Sequence, residues 1–212
     1  MSHDGAPDGS SPATAEVDDL VRRLADAEAA REAERREATR HIRNVLAVMR
    51  SLARRTGEEA RSVEDYQIVL DGRITALSRI YALPPHQAGL GIDLWDLVAD
   101  SLVRMGLGVG EQVTVEGEPV RLTLKAAGPI SLLVHELALN LVVRPHGQVR
   151  IEWRTGPDGL ELRWGQPRAP EAPPRVPDWL GQAIAYELRG TFEEDGGRGL
   201  TVRLPLAVVT RP

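Results

Sequence analysis

Two stretches of the 212-residue chain carry side chains whose types and spacing suit chemistry. The first is His135-Glu-Leu-Ala-Leu-Asn140. On a helix, Glu136 and Asn140 stand four residues apart and share a face. A carboxylate and an amide so placed can orient a water or hydroxyl and complete a Mg²⁺ shell around phosphates. The same spacing also describes a polar stripe turned to solvent. Leu132, Leu133, Leu137 and Leu139 flank the pair, as in a buried helix with few polar residues. His135 reads as a core histidine hydrogen-bonded within the fold rather than a catalyst. The second stretch surrounds His41. Residues 31–61 hold nine Arg against five Glu, a local excess of +4 in a chain whose formal charge is −5.

The elements that must position these residues follow from periodicity. Residues 1–15 are rich in Gly, Pro, Ser and Asp and read as a disordered leader. From Glu16 to Arg55 there is neither Pro nor Gly, which predicts one long helix ended by Gly57. A second helix is expected from about Ser62 to Leu83, stopped by Pro84-Pro85. Two helices joined by a short turn form an antiparallel hairpin that buries one side only. Pairing with a second copy into a four-helix bundle is the natural completion, so a homodimer is expected. The hairpin domain spans 16–86.

From residue 90 to the C-terminus the pattern changes. It predicts a short helix at Leu94–Arg104, strands near Val113–Val115 and Val120–Leu122, and an apolar helix from Ala126 to Val143. A β-hairpin is expected with strands 149–153 and 160–164 around Gly156-Pro-Asp-Gly159. A proline-rich loop from Pro167 to Pro177 precedes a helix at Trp179–Leu188, a short strand at Thr191–Glu194 and a final strand at Leu200–Val208. The fold class is α+β: the helical hairpin, then an α/β sandwich with helices on one face of a mixed sheet.

Composition closes off other classes. With no cysteine there is no disulfide framework, thiolate zinc site or cysteine nucleophile. The acidic balance argues against a dedicated nucleic-acid binder. The apolar run Ile130–Val143 is 14 residues long and contains His135, Glu136 and Asn140, too short and polar for a membrane span. No secretory signal pattern opens the chain, so a cytoplasmic location is expected. The five histidines lack metal spacing, and no G-x-S-x-G or Walker loop is present.

These motifs resemble those of sensor histidine kinases of the HWE / HisKA_2 type, which join a dimerisation hairpin to an ATP-binding domain of the GHKL fold. The N box of that group, H-E-L-x-x-N, is matched by His135, Glu136 and Asn140. Its hairpin pattern is matched by Glu37, Asn44, Leu46, Ala47, Ser51, Ala53, Arg54 and Thr56. A later L-x-W-x-E is echoed by Leu162 and Trp164, and a final G-L-x-x-x-L-P-L by Gly199, Leu200 and Leu204-Pro205-Leu206. The resemblance covers residues 30–208.

The departures are as informative. The phosphoacceptor position of the family falls on Arg40, and the Arg that follows it falls on His41. One residue on a helix is a turn of about 100°, so His41 is not at the usual phosphorylated position. Glu37, four residues earlier, can hold its Nδ1 and leave Nε2 nucleophilic. The alternative is an exposed histidine without chemistry. In the nucleotide-binding half, Gln166 stands where the family has an acidic residue. The Gly-Phe-Gly turn reads Trp179-Leu180-Gly181. Val143 replaces a lysine, and Lys125 is the sole lysine of the chain.

The resemblance therefore implies a two-component signalling protein with a degenerate GHKL domain over residues 90–212. The first expectation is a dimeric histidine phosphotransferase working through His41, with Glu37, Arg40 and Asn44 around it, between response-regulator receiver domains. The lack of a sensor domain within these residues fits such an intermediate. The second is an ATP-dependent kinase using Glu136 as base, Asn140 with Mg²⁺, and Gln166 and Gly181 at the nucleotide. The third is a non-catalytic pseudokinase that binds a response regulator or another histidine kinase. No cofactor is certain; ATP and Mg²⁺ enter only if the nucleotide site works.

Overall fold

A computed structural model of the chain describes residues 12–82, 90–110, 112–143, 148–165, 176–195 and 199–210. It divides into two compact units, Met1–Ala47 and Val48–Pro212.

Helix α1 spans Pro12–Glu59. It is longer than expected at both ends, beginning within the segment read as a leader and continuing past Gly57. In the first unit it is a solvated rod. Val17, Leu20, Val21, Leu24, Ile42 and Leu46 are exposed, and its charges pair along the helix, as in Glu32 with Arg35 and Glu37 with Arg40. Exposed pairs of this kind contribute under about 1 kcal/mol each.

In the second unit, Leu52 and Thr56 of α1 are buried. Helix α2 covers Val63–Tyr81, and Ser62 caps it by accepting from the Asp65 N–H. Beyond it come β1 (Ile92–Asp93), α3 (Leu94–Arg104), β2 (Val113–Gly117), β3 (Arg121–Leu122) and α4 (Leu124–Val143). Then follow β4 (Val149–Gly156), β5 (Gly159–Gly165), α5 (Asp178–Glu187), β6 (Thr191–Glu194), β7 (Gly199–Leu204) and β8 (Val209–Thr210). The α+β reading holds, with a mixed sheet ordered β2-β4-β5-β7-β6 in which only β2 and β4 run parallel. A small antiparallel sheet, β1-β3-β8, closes the other end of the domain.

Alternation along the strands decides which face is covered. Val149, Ile151, Trp153, Leu160, Leu162, Trp164, Leu200, Val202 and Leu204 point inward and are buried. The opposite face is ionic: Glu161 meets Arg154, Arg163 and Arg203, and Glu152 and Glu116 meet Arg163 and Arg150. The turn between β4 and β5 needs its second glycine. Gly159 has φ +137°, and a Cβ there would fall 1.9 Å from the Leu204 carbonyl oxygen.

The expected strand Leu200–Val208 is not continuous. It stops at Leu204, since Pro205 has no N–H to give a ladder, and Leu206–Val208 form a 3-10 turn before β8. Helix α4 begins at Leu124, which makes it 20 residues and long and apolar enough to cross a membrane by length and composition alone. The sequence expectation of too short a run is corrected on that point. Twelve of its residues are nonetheless buried in the core, against α2, α3 and α5.

Candidate functional site

The site is built where α2 crosses α4. The crossing is close because small residues meet there. Gly72 lies against the His135 ring, where a Cβ would stand 2.9 Å from Nε2, and Gly128 faces Leu77 and the Tyr81 hydroxyl. The Ser131 hydroxyl donates to the Ala76 carbonyl at 2.8 Å. On α2 the buried residues are Arg73, Leu77 and Ile80, spaced four and seven along one helical face. Arg73 is thus the charged member of an otherwise apolar stripe.

Its guanidinium, 2% exposed, is satisfied from three directions. Nε donates to Glu136 Oε1 at 2.7 Å, Nη1 to Thr56 Oγ1 at 2.9 Å, and Nη2 to Glu59 Oε2 at 2.9 Å. The Trp179 ring, at the start of α5, lies 5.3 Å from the Arg73 guanidinium carbon and 5.1 Å from that of Arg55. Planar, charged and forked, an arginine is the side chain that can make these contacts together. Burial pushes the Glu136 carboxyl above its usual range, against the pull of Arg73. Burial also works against the charge of Arg73, but Glu136 and Glu59 outweigh it and hold the proton more firmly than usual. A buried pair of this kind adds little net stability over apolar packing, yet losing one partner costs about 3–5 kcal/mol.

Glu136 and Asn140 do come together on α4, but not toward solvent. Glu136 is 7% exposed, and Asn140 Nδ2 donates back to the Glu136 carbonyl at 2.7 Å. His135 is half-buried. Burial first, and the nearby Arg73 charge second, lower its pKa to about 4. The expected hydrogen bond within the fold is not seen among the described residues. Gly181 sits inside α5, where a Cβ would find only ordinary contact with Phe192 at 3.6 Å. Space alone does not require glycine there. Gln166 and Pro167–Pro174 lie outside the described residues. In the first unit, Glu37 pairs with Arg40, His41 is half-buried and Asn44 is exposed.

In this conformation the carboxylate that would serve the phosphates of a nucleotide is buried against the Arg73 guanidinium.

Sequence reasoning missed Arg73, Thr56, Glu59 and Trp179 as a unit. The signal was a charged residue in register with Leu77 and Ile80; its partner, 63 positions away, left none.

Comparison with known proteins follows the same outline. Residues 37–119 match the family model of the HWE histidine kinases. The chain is 26% identical over 182 residues to blue-light-activated histidine kinase 1 of Erythrobacter litoralis, covering 78% of this chain and 50% of that protein. It is 22% identical over 189 residues to the blue-light-activated histidine kinase of Brucella anthropi, covering 85% and 38%. The chain thus spans half or less of the length of these relatives. A solved structure of the Erythrobacter litoralis blue-light-activated kinase superposes with a TM-score of 0.56 at 16% identity, over 79% of this chain and 59% of that one. This supports the fold.

Proposed function

We propose that this chain, similar over residues 37–119 to the HWE histidine kinases, is a dimeric histidine phosphotransferase relaying phosphate to and from response-regulator receiver domains. The observation that carries the reading is the engagement of Glu136 by Arg73 at 2.7 Å. A carboxylate so paired is withdrawn from proton transfer and from phosphate, and the hairpin is left as the element able to handle a phosphoryl group.

His41 is the proposed acceptor. Its Nε2 attacks the phosphorus of an aspartyl phosphate on the receiver. The N–P bond forms as the acyl P–O bond breaks, the aspartate leaves as a carboxylate, and the imidazole proton passes to solvent. The reverse step hands the phosphoryl group to a second receiver. Arg40 and Asn44 flank the acceptor, and Arg40 also stands where an arginine can pair with phosphoryl oxygens. Glu37 positions this end of the face. The basic balance of residues 31–61 suits the acidic phosphorylation site of a receiver. Exposed Ile42 and Leu46 on α1, and Val63 and Ile68 on α2, support pairing of two hairpins. A cytoplasmic location, without nucleic acid or membrane, belongs to the same proposal.

An ATP-dependent autokinase is the second reading, favoured by the kinase names of the relatives. One experiment separates the two. The protein is incubated with Mg²⁺–ATP, or with a phosphorylated receiver, and acid-labile phosphate is counted. Label from the receiver alone supports the phosphotransferase, and label from ATP supports the kinase. Absence of both, with receiver binding intact, leaves a pseudokinase that binds a regulator or another kinase. Label that survives His41→Ala removes His41 from the site.

A further inference from the structure

Of the three motif residues His135, Glu136 and Asn140, only the histidine has no task at a nucleotide. Its ring lines a cavity of about 340 Å³ between α2, α3, α4 and the segment 90–93, wholly within the second unit. We propose that this cavity is a binding site for a small uncharged molecule with an apolar ring body and one hydroxyl group, held at its polar end by His135 and Ser131. Neither His41 nor the Glu136–Arg73 pair takes part, and no helix has to move.

The walls are anchored in the core. Leu77 and Ile80 hold α2, Leu97 and Leu102 hold α3, and the Ser131 hydroxyl donates from α4 to the Ala76 carbonyl at 2.8 Å. Small-molecule sites of this volume are mainly apolar, with a few polar groups that set orientation. Ala76, Ile80, Leu97 and Met105 supply the apolar part here. Ser131 and His135 supply the polar part, four residues apart on α4 and so on one helical face.

The hydrogen-bonding capacity of the two matches a hydroxyl. Ser131 is 3% exposed. Its proton is committed to Ala76, which leaves lone pairs on the oxygen to accept. His135 is neutral, because burial and the Arg73 charge both disfavour its protonation. One of its ring nitrogens therefore donates and the other accepts. No protein hydrogen bond to that ring occurs among the described residues. A hydroxyl both donates and accepts, so it can serve the histidine and the serine together.

The charged groups of the wall decide against an ion. Asp100 takes Arg79 at 3.3 Å and Arg104 at 3.0 Å, and Asp93 caps α3. Arg121 donates to the Leu90 and Gly91 carbonyls at 2.6 and 2.9 Å. A charged ligand would have to break into these pairs. Four Asp stand against three Arg around the cavity, so a phosphate or carboxylate gains no net attraction there.

2-Naphthol, uncharged at neutral pH, and 2-naphthoate, an anion of like shape, are titrated calorimetrically into the full chain. 2-Naphthol is expected to bind with a Kd of about 0.1 mM, the reach of a ligand of its size. 2-Naphthoate is expected to bind at least about tenfold more weakly. His135→Leu keeps the bulk and removes the ring nitrogens, and should weaken 2-naphthol about five- to tenfold. Thr75 lines the cavity from an exposed place on α2. Thr75→Trp therefore fills it without disturbing the core, and should lose 2-naphthol binding while melting as the unaltered chain does. No binding of 2-naphthol at millimolar concentration overturns the proposal. So does binding that Thr75→Trp leaves intact, which puts the probe elsewhere. Equal affinity for the two probes overturns the uncharged character of the site, and undiminished binding by His135→Leu overturns the part given to the imidazole. Should His135→Leu fail to fold, Thr75→Trp and the comparison of the two probes decide.

Discussion

Gly72 is held to glycine by His135: an added Cβ would stand 2.9 Å from the imidazole Nε2 and 3.0 Å from Cε1. This is closer than side chains pack without moving. Alanine in a helix interior ordinarily gains about 1 kcal/mol over glycine, whereas overpacking costs about 1–3 kcal/mol. Gly72→Ala is therefore expected to destabilise by about 1 kcal/mol in urea unfolding. The same change made in a His135→Ala background should stabilise. A Gly72→Ala gain in the unaltered chain would show that the two helices are not in this register.

The Arg73–Glu136 pair makes a non-additive prediction. Arg73→Met should cost about 3–5 kcal/mol, because it strands the buried Glu136 carboxylate, and Glu136→Leu should cost less, because Glu59 and Thr56 still hold the guanidinium. The double variant should cost far less than the sum, since both charges go together. Additive losses in a double-mutant cycle would mean that the two side chains do not share a site.

The neutral state of His135 ties stability to pH. With a folded pKa of about 4 against a usual value of 6.5, the unfolded chain binds more protons between those limits. Stability therefore rises with pH across the window and is lost as pH falls from about 6.5 toward 4. The contribution is at most about 3 kcal/mol. His135→Leu should flatten the urea midpoint over this range relative to the unaltered chain. An unchanged slope would assign the acid sensitivity elsewhere.

Arg189 ends α5 with φ 56° and is the only described residue other than glycine with positive φ. That conformation costs an L-residue about 1–2 kcal/mol, part of which glycine gives back through its freer unfolded chain. Arg189 is exposed, so Arg189→Gly is expected to stabilise by about 0.5–1 kcal/mol. A lowered melting temperature would mean that its side chain has an unrecognised partner.

Much of the frame is written in local sequence. Helix α3 follows its apolar spacing from Leu94 to Arg104, and the turn at Gly156–Gly159 follows its turn chemistry. What local reasoning could not supply is the alignment of distant elements. Arg73 passed as one more arginine among many, because its burial depends on Thr56, Glu59 and Glu136 arriving from other helices. The HWE-type motifs located Glu136 correctly on a buried helix but gave no hint that the hairpin would take it. In the sequence Trp179 stands in place of a glycine, whereas in the fold it is a platform for Arg55 and Arg73. Pro205 marks a break by its missing N–H, while the apolar residues on both sides of it carry the strand pattern across.

The ionic outer face of the five-stranded sheet has a consequence for how the domain meets other molecules. To stack on it, a second sheet or an apolar surface would have to strip water from Glu152, Glu161, Arg154, Arg163 and Arg203 at once, with no matched charges guaranteed in return. This side of the domain is therefore a barrier to adhesion. It keeps sheets of neighbouring molecules from layering in a crowded solution, and it leaves the helical layer as the side on which a specific apolar interface can form.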